Sequence, residues 1–224
     1  DEQLKTAPQN FKSNKCNFDK QNNFVLEISP MDCTGCGLCE KVCPAKQKAI
    51  VLKDKQDVLE QQLKSYNFSK DMQGTLPNLP LSTTKAQFMQ PYFEFSGACA
   101  GCGETPYIRL LTQLFGNHLL IANATGCSSI YGGSNPTCPY TKNADGQGPA
   151  WANSLFEDNA EFGFGIAKSQ NAKRQNLLRF VNQNLQNFEQ LTKQQLEVWI
   201  ENFDNQQVCN QIYLNLKNTK QQNL

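Results

Sequence analysis

The sequence has a single histidine, His118, and no surplus of either charge. With 21 basic and 20 acidic residues, the formal net charge is +1. A nucleic-acid-binding chain leaves a concentrated basic footprint, so the balance argues against that class of partner. No apolar run approaches the roughly 20 residues of a transmembrane helix, so no membrane span is expected. The first residues, Asp1-Glu-Gln-Leu-Lys5, lack the apolar core of a secretory signal. They also lack an initiator Met, as expected of a chain processed or cut from something longer. No internal repeat is visible. His118 opens an apolar stretch and is expected to be a packing residue rather than a catalytic base.

Cysteine, by contrast, is plentiful, with ten in 224 residues. Most fall in tight C-x-x-C groups without a secretory signal, which points to metal binding in a reducing intracellular compartment rather than to disulfides. Cytoplasm and an anaerobic energy organelle both fit. Hydrophobic residues make up 39% of the chain, enough for a packed core in one large or two small domains.

Four segments follow from the pattern. Residues 1–23 are a polar tail or connector. Residues 24–56 are a small module in which Phe24–Ile28 and Ala49–Leu52 read as short strands flanking a cysteine run. Residues 57–90 are a linker marked by Pro77 and Pro80, with Val58–Tyr66 helical. Residues 91–224 are a larger unit. In it, Pro106–Phe115 reads as a helix, with Pro at its start and Gly116 as its stop. His118–Ala124 reads as a buried parallel strand running into Thr125-Gly-Cys127. Ligands in open α/β sheets sit beyond the carboxyl ends of strands, which makes Cys127 the expected contact. From about Pro149 the chain is expected to be helical, with Thr192-Lys-Gln-Gln195 as a capping box for Lys193–Asn202. The Gln and Asn density beyond residue 168 reads as solvated helix faces, with prion-like association as an alternative. Trp151, Phe156, Phe162 and Phe164 are expected in the core, and Glu157, Asp158 and Glu161 on a helix face or cap.

The chemistry is carried by two cysteine groups. In the first, Cys33, Cys36, Cys39 and Cys43-Pro44 are spaced to hold an iron–sulfur cluster. Thiolates are soft ligands for iron–sulfur clusters or zinc. Three cysteines on one loop can cap three corners of a [4Fe–4S] cube, and Gly35 and Gly37 let the backbone close around them. A zinc ribbon is the rival reading, although zinc prefers paired C-x-x-C knuckles. The second group is Ser96-Gly-Ala-Cys99-Ala-Gly-Cys102-Gly-Glu104-Thr-Pro106, with Cys127 on the next loop. It offers three ligands at one sheet end, or a redox dithiol at Cys99 and Cys102. Cys16, Cys138 and Cys209 have no partner at metal spacing and are expected to be small buried residues.

These residues carry a family resemblance. Gly97–Tyr107, Ala122–Gly133 and Gly146–Gly165 resemble the thiamine-diphosphate domain of pyruvate:ferredoxin (flavodoxin) oxidoreductases. The upstream run resembles the second cluster motif of that family's ferredoxin-like domain, and the module order is similar too. The resemblance implies an α+β to α/β chain, a small ferredoxin-like [4Fe–4S] module followed by the first part of an α/β thiamine-diphosphate domain. It implies oxidative decarboxylation of pyruvate with coenzyme A to acetyl-CoA and carbon dioxide. Electrons would leave through [4Fe–4S] clusters to ferredoxin or flavodoxin, with Mg²⁺ holding the thiamine diphosphate. Carried over by motif, Cys33, Cys36 and Cys39 resemble ligands of one cluster, and Cys43 resembles a ligand of its neighbour. Cys99, Cys102 and Cys127 resemble ligands of the cluster nearest the thiamine. Glu104 and Cys127 resemble residues that touch that cofactor, with Glu104 in the catalytic role.

Parts of the family pattern do not occur in this sequence. The neighbouring cluster expects an earlier cysteine run, yet only Cys16 precedes Cys33. The Gly-Asp-Gly motif for the magnesium diphosphate has no counterpart; Ala144-Asp-Gly146 lies in a polar loop. The chain is therefore expected to be a segment or subunit, inactive alone and homo-oligomeric when complete. The other reading is a non-catalytic iron–sulfur electron-transfer or structural module.

Overall fold

The computed structural model describes residues 3–9, 11–71, 82–134, 136–143 and 145–222. Mixed helix and strand divide into two compact units between Glu157 and Asp158. Pro77 and Pro80 of the expected linker lie outside the described residues.

The first unit opens with a 3-10 turn, Gln3–Thr6, and a short antiparallel hairpin of β1 (Asn14–Lys15) and β2 (Asn23–Phe24). The expected strand at Phe24–Ile28 stops at Phe24, and Ala49–Leu52 forms no strand. Leu26 and Val51, central to those stretches, are each 60% exposed, so no second layer covers them. Two-stranded ribbons without such a layer are marginal in water. The cysteine run contains one helical turn, α1 (Leu38–Lys41), entered through Gly37 at φ 77. The expected helix at Val58–Tyr66 extends at both ends into α2 (Lys55–Asp71). Next comes α3 (Thr83–Ala86), where the Ser82 hydroxyl accepts the Lys85 N–H at 3.3 Å as an N-cap.

The core of this unit is aromatic. Phe93, 2% exposed, meets Tyr131 and Tyr140 edge-on at 5.9 and 5.3 Å. A lone antiparallel bridge joins Phe93 to Tyr140, flanked by Glu94 N to Pro139 O at 2.9 Å and Thr141 N to Tyr92 O at 3.1 Å. Against this core packs α4 (Thr105–Phe115), starting one residue before the expected Pro106 and ending where expected. Gly116 has φ −55, so it is no left-handed stop, and the chain continues into a 3-10 turn to His118. The glycine is needed because a Cβ there would lie 2.3 Å from Tyr92 Cδ2. His118 is exposed on that turn rather than packed.

The expected strand at His118–Ala124 shortens to β3 (Leu120–Asn123), half-buried rather than fully buried. It pairs in parallel with β4 (Ala150–Asn153), which occupies a stretch expected to be helical. The Ala-Trp-Ala-Asn run is short and alternates exposed and half-buried, so strand pairing with β3 prevails over helix there. Between the two strands lies α5 (Cys127–Gly133), whose last two glycines let Trp151 approach; a Cβ on either would sit 3.0–3.3 Å from the indole. Phe156, on the loop beyond β4, is 74% exposed, contrary to the core expectation.

The second unit is helical: α6 (Asn159–Asn184), α7 (Gln190–Glu201) and α8 (Gln206–Gln222). Val181, Leu196 and Ile212 are its buried apolar residues. The Arg174 guanidinium stacks over Phe203 at 4.6 Å and donates to its carbonyl at 2.9 Å, anchoring the α7–α8 turn. Phe162 is half-buried, but Phe164 is 65% exposed and not core, and Lys168 one turn on lies over its ring. Asp158 holds the N-cap position of α6 and Glu161 lies in its first turn, but the Asp158 side chain makes no capping bond and Glu157 lies before the helix. The expected capping box does not form. Helix α7 begins at Gln190, so Thr192 is already inside the first turn. Among the described residues no helix is long and apolar enough to cross a membrane.

Candidate functional site

Cys33 and Cys36 stand exposed on the loop before α1, Cys39 is exposed within it, and Cys43 is half-buried after it. Local turns shape the loop. Cys33 N bonds Ser29 O at 3.1 Å, and Lys41 N bonds Gly37 O at 3.0 Å. Gly35 and Gly37 are both left-handed, at φ 69 and 77, conformations that side chains rarely adopt. The Ala49 N–H points at Cys43 Sγ at 3.4 Å, and main-chain N–H groups of Ala49 and then Ala45 hold this thiol below its usual pKa.

The second group is more firmly built. Cys102 N bonds Cys99 O at 3.0 Å in a turn completed by left-handed Gly101. The Thr105 and Glu104 N–H groups at the start of α4 lower the Cys102 pKa, with Thr105 the larger cause. Ser96 Oγ donates to Thr105 Oγ1 at 3.0 Å across the loop. Cys127 is exposed at the first residue of α5. One turn later the buried Tyr131 hydroxyl donates to Glu104 Oε2 at 2.7 Å. Burial first, and the Glu104 bond second, push the Tyr131 phenol well above its ordinary range. This bond ties the Cys127 helix to the Cys99–Cys102 loop. The loops also meet the first group, since a Cβ on Gly101 would lie 3.7 Å from Leu38 Cδ2.

Among the described residues no three Cys, His, Asp or Glu side chains converge closely enough to grip a metal ion. The chemistry of the donor set nevertheless fits an iron–sulfur cluster. All ten cysteines are free of disulfides, and Cys43 and Cys102 already receive main-chain N–H bonds of the kind that tune cluster sulfurs. The residues present do not fit thiamine diphosphate with Mg²⁺. Glu104 is the one carried-over acid, and its carboxylate is engaged by Tyr131. Asp145 sits in a turn closed on Asn143 rather than after a strand, and Ala144 lies outside the described residues. Cys138 and Cys209 are half-buried rather than buried, bonded through Sγ to the carbonyls of Gly132 at 3.2 Å and Asn202 at 3.4 Å. Cys16 is half-buried too.

Sequence reasoning overlooked Tyr131 and a polar cluster at the ends of β3 and β4, formed by Asn123, Ser128, Ser129 and Asn153. A usable signal was present: Ala-Asn occurs at the end of each strand, at Ala122-Asn123 and Ala152-Asn153. It becomes legible only once the second stretch is read as a strand.

A 4Fe-4S binding domain family matches residues 26–46, a range that contains the whole first cysteine group. The first group is therefore a ferredoxin-like iron–sulfur module. The chain is 58% identical over 156 residues to the pyruvate:ferredoxin oxidoreductase of Moorella thermoacetica, covering 69% of this chain and 13% of that protein. It is 53% identical over 178 residues to a pyruvate-flavodoxin oxidoreductase of Nostoc sp., covering 75% and 15%. It is 50% identical over 177 residues to the mitochondrial pyruvate dehydrogenase [NADP(+)] of Euglena gracilis, covering 78% and 10%. The chain is thus a partial match to pyruvate:ferredoxin/flavodoxin oxidoreductases, and it spans about an eighth to a seventh of the length of the first two of these relatives.

Proposed function

We propose that this chain is the iron–sulfur and cofactor-facing segment of an enzyme that oxidatively decarboxylates pyruvate with coenzyme A, yielding acetyl-CoA, carbon dioxide and two electrons. Cys33, Cys36 and Cys39 would hold one [4Fe–4S] cluster, and Cys43 would reach a neighbouring one. Cys99, Cys102 and Cys127 would hold the cluster nearest the thiamine. When bound, the clusters supply one-electron steps toward ferredoxin or flavodoxin. The chain's own residues bind and orient. Main-chain N–H groups keep Cys43 and Cys102 toward the thiolate form that a cluster requires. Tyr131 fixes one oxygen of Glu104 and so holds the start of α4 to the Cys127 helix. The thiamine diphosphate, its Mg²⁺ and the substrate would be held largely by residues outside this sequence, so the chain is inactive alone and works with the remaining segments, in a reducing intracellular compartment.

The observation that carries this reading is the coexistence of the two cysteine groups, one inside the matched 4Fe-4S domain and the other beside Glu104. The test is anaerobic loading of the full chain with iron and sulfide, followed by metal and sulfide analysis and low-temperature EPR of the reduced sample. Iron with equimolar labile sulfide, reduced in a Cys33→Ser, Cys36→Ser, Cys39→Ser triple variant and lost when Cys99→Ser and Cys102→Ser are added, is the expected outcome. A colourless protein holding stoichiometric zinc would overturn it.

A further inference from the structure

The ends of the two parallel strands carry more polar organisation than pairing requires. Asn123 and Asn153 stand opposite each other as the last register pair of β3 and β4. The Asn123 amide donates to Asn153 Oδ1 at 2.7 Å, to the Ala124 carbonyl at 2.9 Å and to Ser129 Oγ at 3.2 Å. Its own oxygen accepts the Ser128 hydroxyl at 2.8 Å. The Ser129 hydroxyl donates at 2.8 Å toward both Asn153 Oδ1 and the Ala124 carbonyl, and the Asn153 amide donates to Ser154 O at 2.8 Å. An amide has two N–H bonds to give and a hydroxyl one, so the donors of Asn123, Ser128 and Ser129 are all spent inside this cluster.

Both tethered serines belong to the first turn of α5 and follow Cys127 directly. Gly126 before it is extended, at φ 165, and a Cβ there would touch nothing. Neither strain nor packing on the Gly126 side therefore places Cys127. The polar cluster tethers the two residues that follow it, and the Tyr131–Glu104 bond holds the same helix one turn on. We propose that Asn123 and Asn153 are positioning residues for Cys127. Their interlocked amides hold Ser128 and Ser129 to the strand ends, and so present the Cys127 thiol at the sheet's carboxyl edge as the third ligand to the cluster of Cys99 and Cys102. This rests on the ligand role given to Cys127 above.

The two asparagines are not equivalent, and the test uses that. Asn123→Asp keeps the acceptor for Ser128 but sets a carboxylate oxygen against Asn153 Oδ1, where an N–H donor had been. Asn153→Asp keeps the oxygen that accepts from Asn123 and Ser129, and its second oxygen replaces only the donor to Ser154 O, outside the bonds to Ser128 and Ser129. The full chain and both variants are loaded anaerobically with iron and sulfide, then treated with iodoacetamide. Alkylation of each cysteine is read by peptide mass spectrometry. The expected result is protection of Cys127 in the parent chain. In Asn123→Asp, Cys127 is alkylated about tenfold faster, the equivalent of one or two lost hydrogen bonds, while Cys33, Cys36 and Cys39 stay protected. Asn153→Asp retains protection at Cys127. If Asn123→Asp does not fold by circular dichroism, Ser129→Ala takes its place with the same expectation. Equal protection of Cys127 in the parent and in Asn123→Asp or Ser129→Ala overturns the positioning role alone. A Cys127 that iron and sulfide leave as reactive as before, in the parent itself, overturns the ligand role on which it rests.

Discussion

Residues 26–52 and residues 91–153 both carry the cysteines proposed as cluster ligands, but they are held in different ways. In the first stretch Leu26, Val51 and Leu52 stand exposed, no strand forms beyond Phe24, and the bonds around the cysteines are local turns. In the second, Phe93 and Tyr131 are buried, Arg109 donates to the carbonyls of Phe93 and Glu94 at 3.3 and 2.8 Å, and Tyr131 joins two loops through Glu104. A loop of few buried contacts draws its order from what it binds, because metal binding and folding share one free energy. A loop set on an aromatic core is shaped beforehand. The comparison teaches that similar cysteine spacing can sit on an open loop held by local turns and on a loop set against an aromatic core.

Substitutions sharpen this contrast. Phe93→Ala should cause the largest loss, about 3–5 kcal/mol from a cavity among Tyr131 and Tyr140. Urea unfolding should register it as a lower midpoint for the first unit. Gly116→Ala should follow, at about 1–3 kcal/mol, because its methyl must displace the Tyr92 ring; thermal unfolding would show it. Gly35→Ala should cost about 1–2 kcal/mol of local strain at φ 69, with nothing nearby to clash. Its effect should appear in hydrogen exchange across the first loop and leave the midpoint of the Phe93 core where it was. Equal loss of both regions in Gly35→Ala would break the comparison.

A further effect is one of pH. Burial raises the Tyr140 phenol from 10.0 to about 12 in the folded chain. A raised pKa favours the protonated, folded form, so this contribution is whole below pH 10 and fades as pH climbs toward 12. Stability should therefore fall across that window, and Tyr140→Phe should flatten the slope measured by alkaline unfolding.

How much of this could be read beforehand depends on whether a feature is local. Helix α4 was legible because Pro106 and the apolar spacing after it act within one turn. The first cysteine group was legible for the same reason, and a 4Fe-4S domain indeed covers it. The role of Gly116 was not, since its requirement comes from Tyr92, 24 positions away in sequence. Strand β4 was missed because Ala-Trp-Ala-Asn becomes a strand only beside β3. The hairpin of β1 and β2 went unseen because two residues per strand leave no period to detect. Residue type alone points Phe156 and Phe164 to the core, whereas exposure depends on which face a neighbouring element covers.

Hydrogen–deuterium exchange of the full chain, before and after anaerobic loading with iron and sulfide, tests the contrast most directly. The account predicts that amides at 30–46 exchange freely without the cluster and gain protection of at least about tenfold with it, in line with folding coupled to metal binding. Amides around Phe93, Thr112 and Tyr131 should be protected throughout. Protection at 30–46 that is already high and unmoved by iron and sulfide would contradict it.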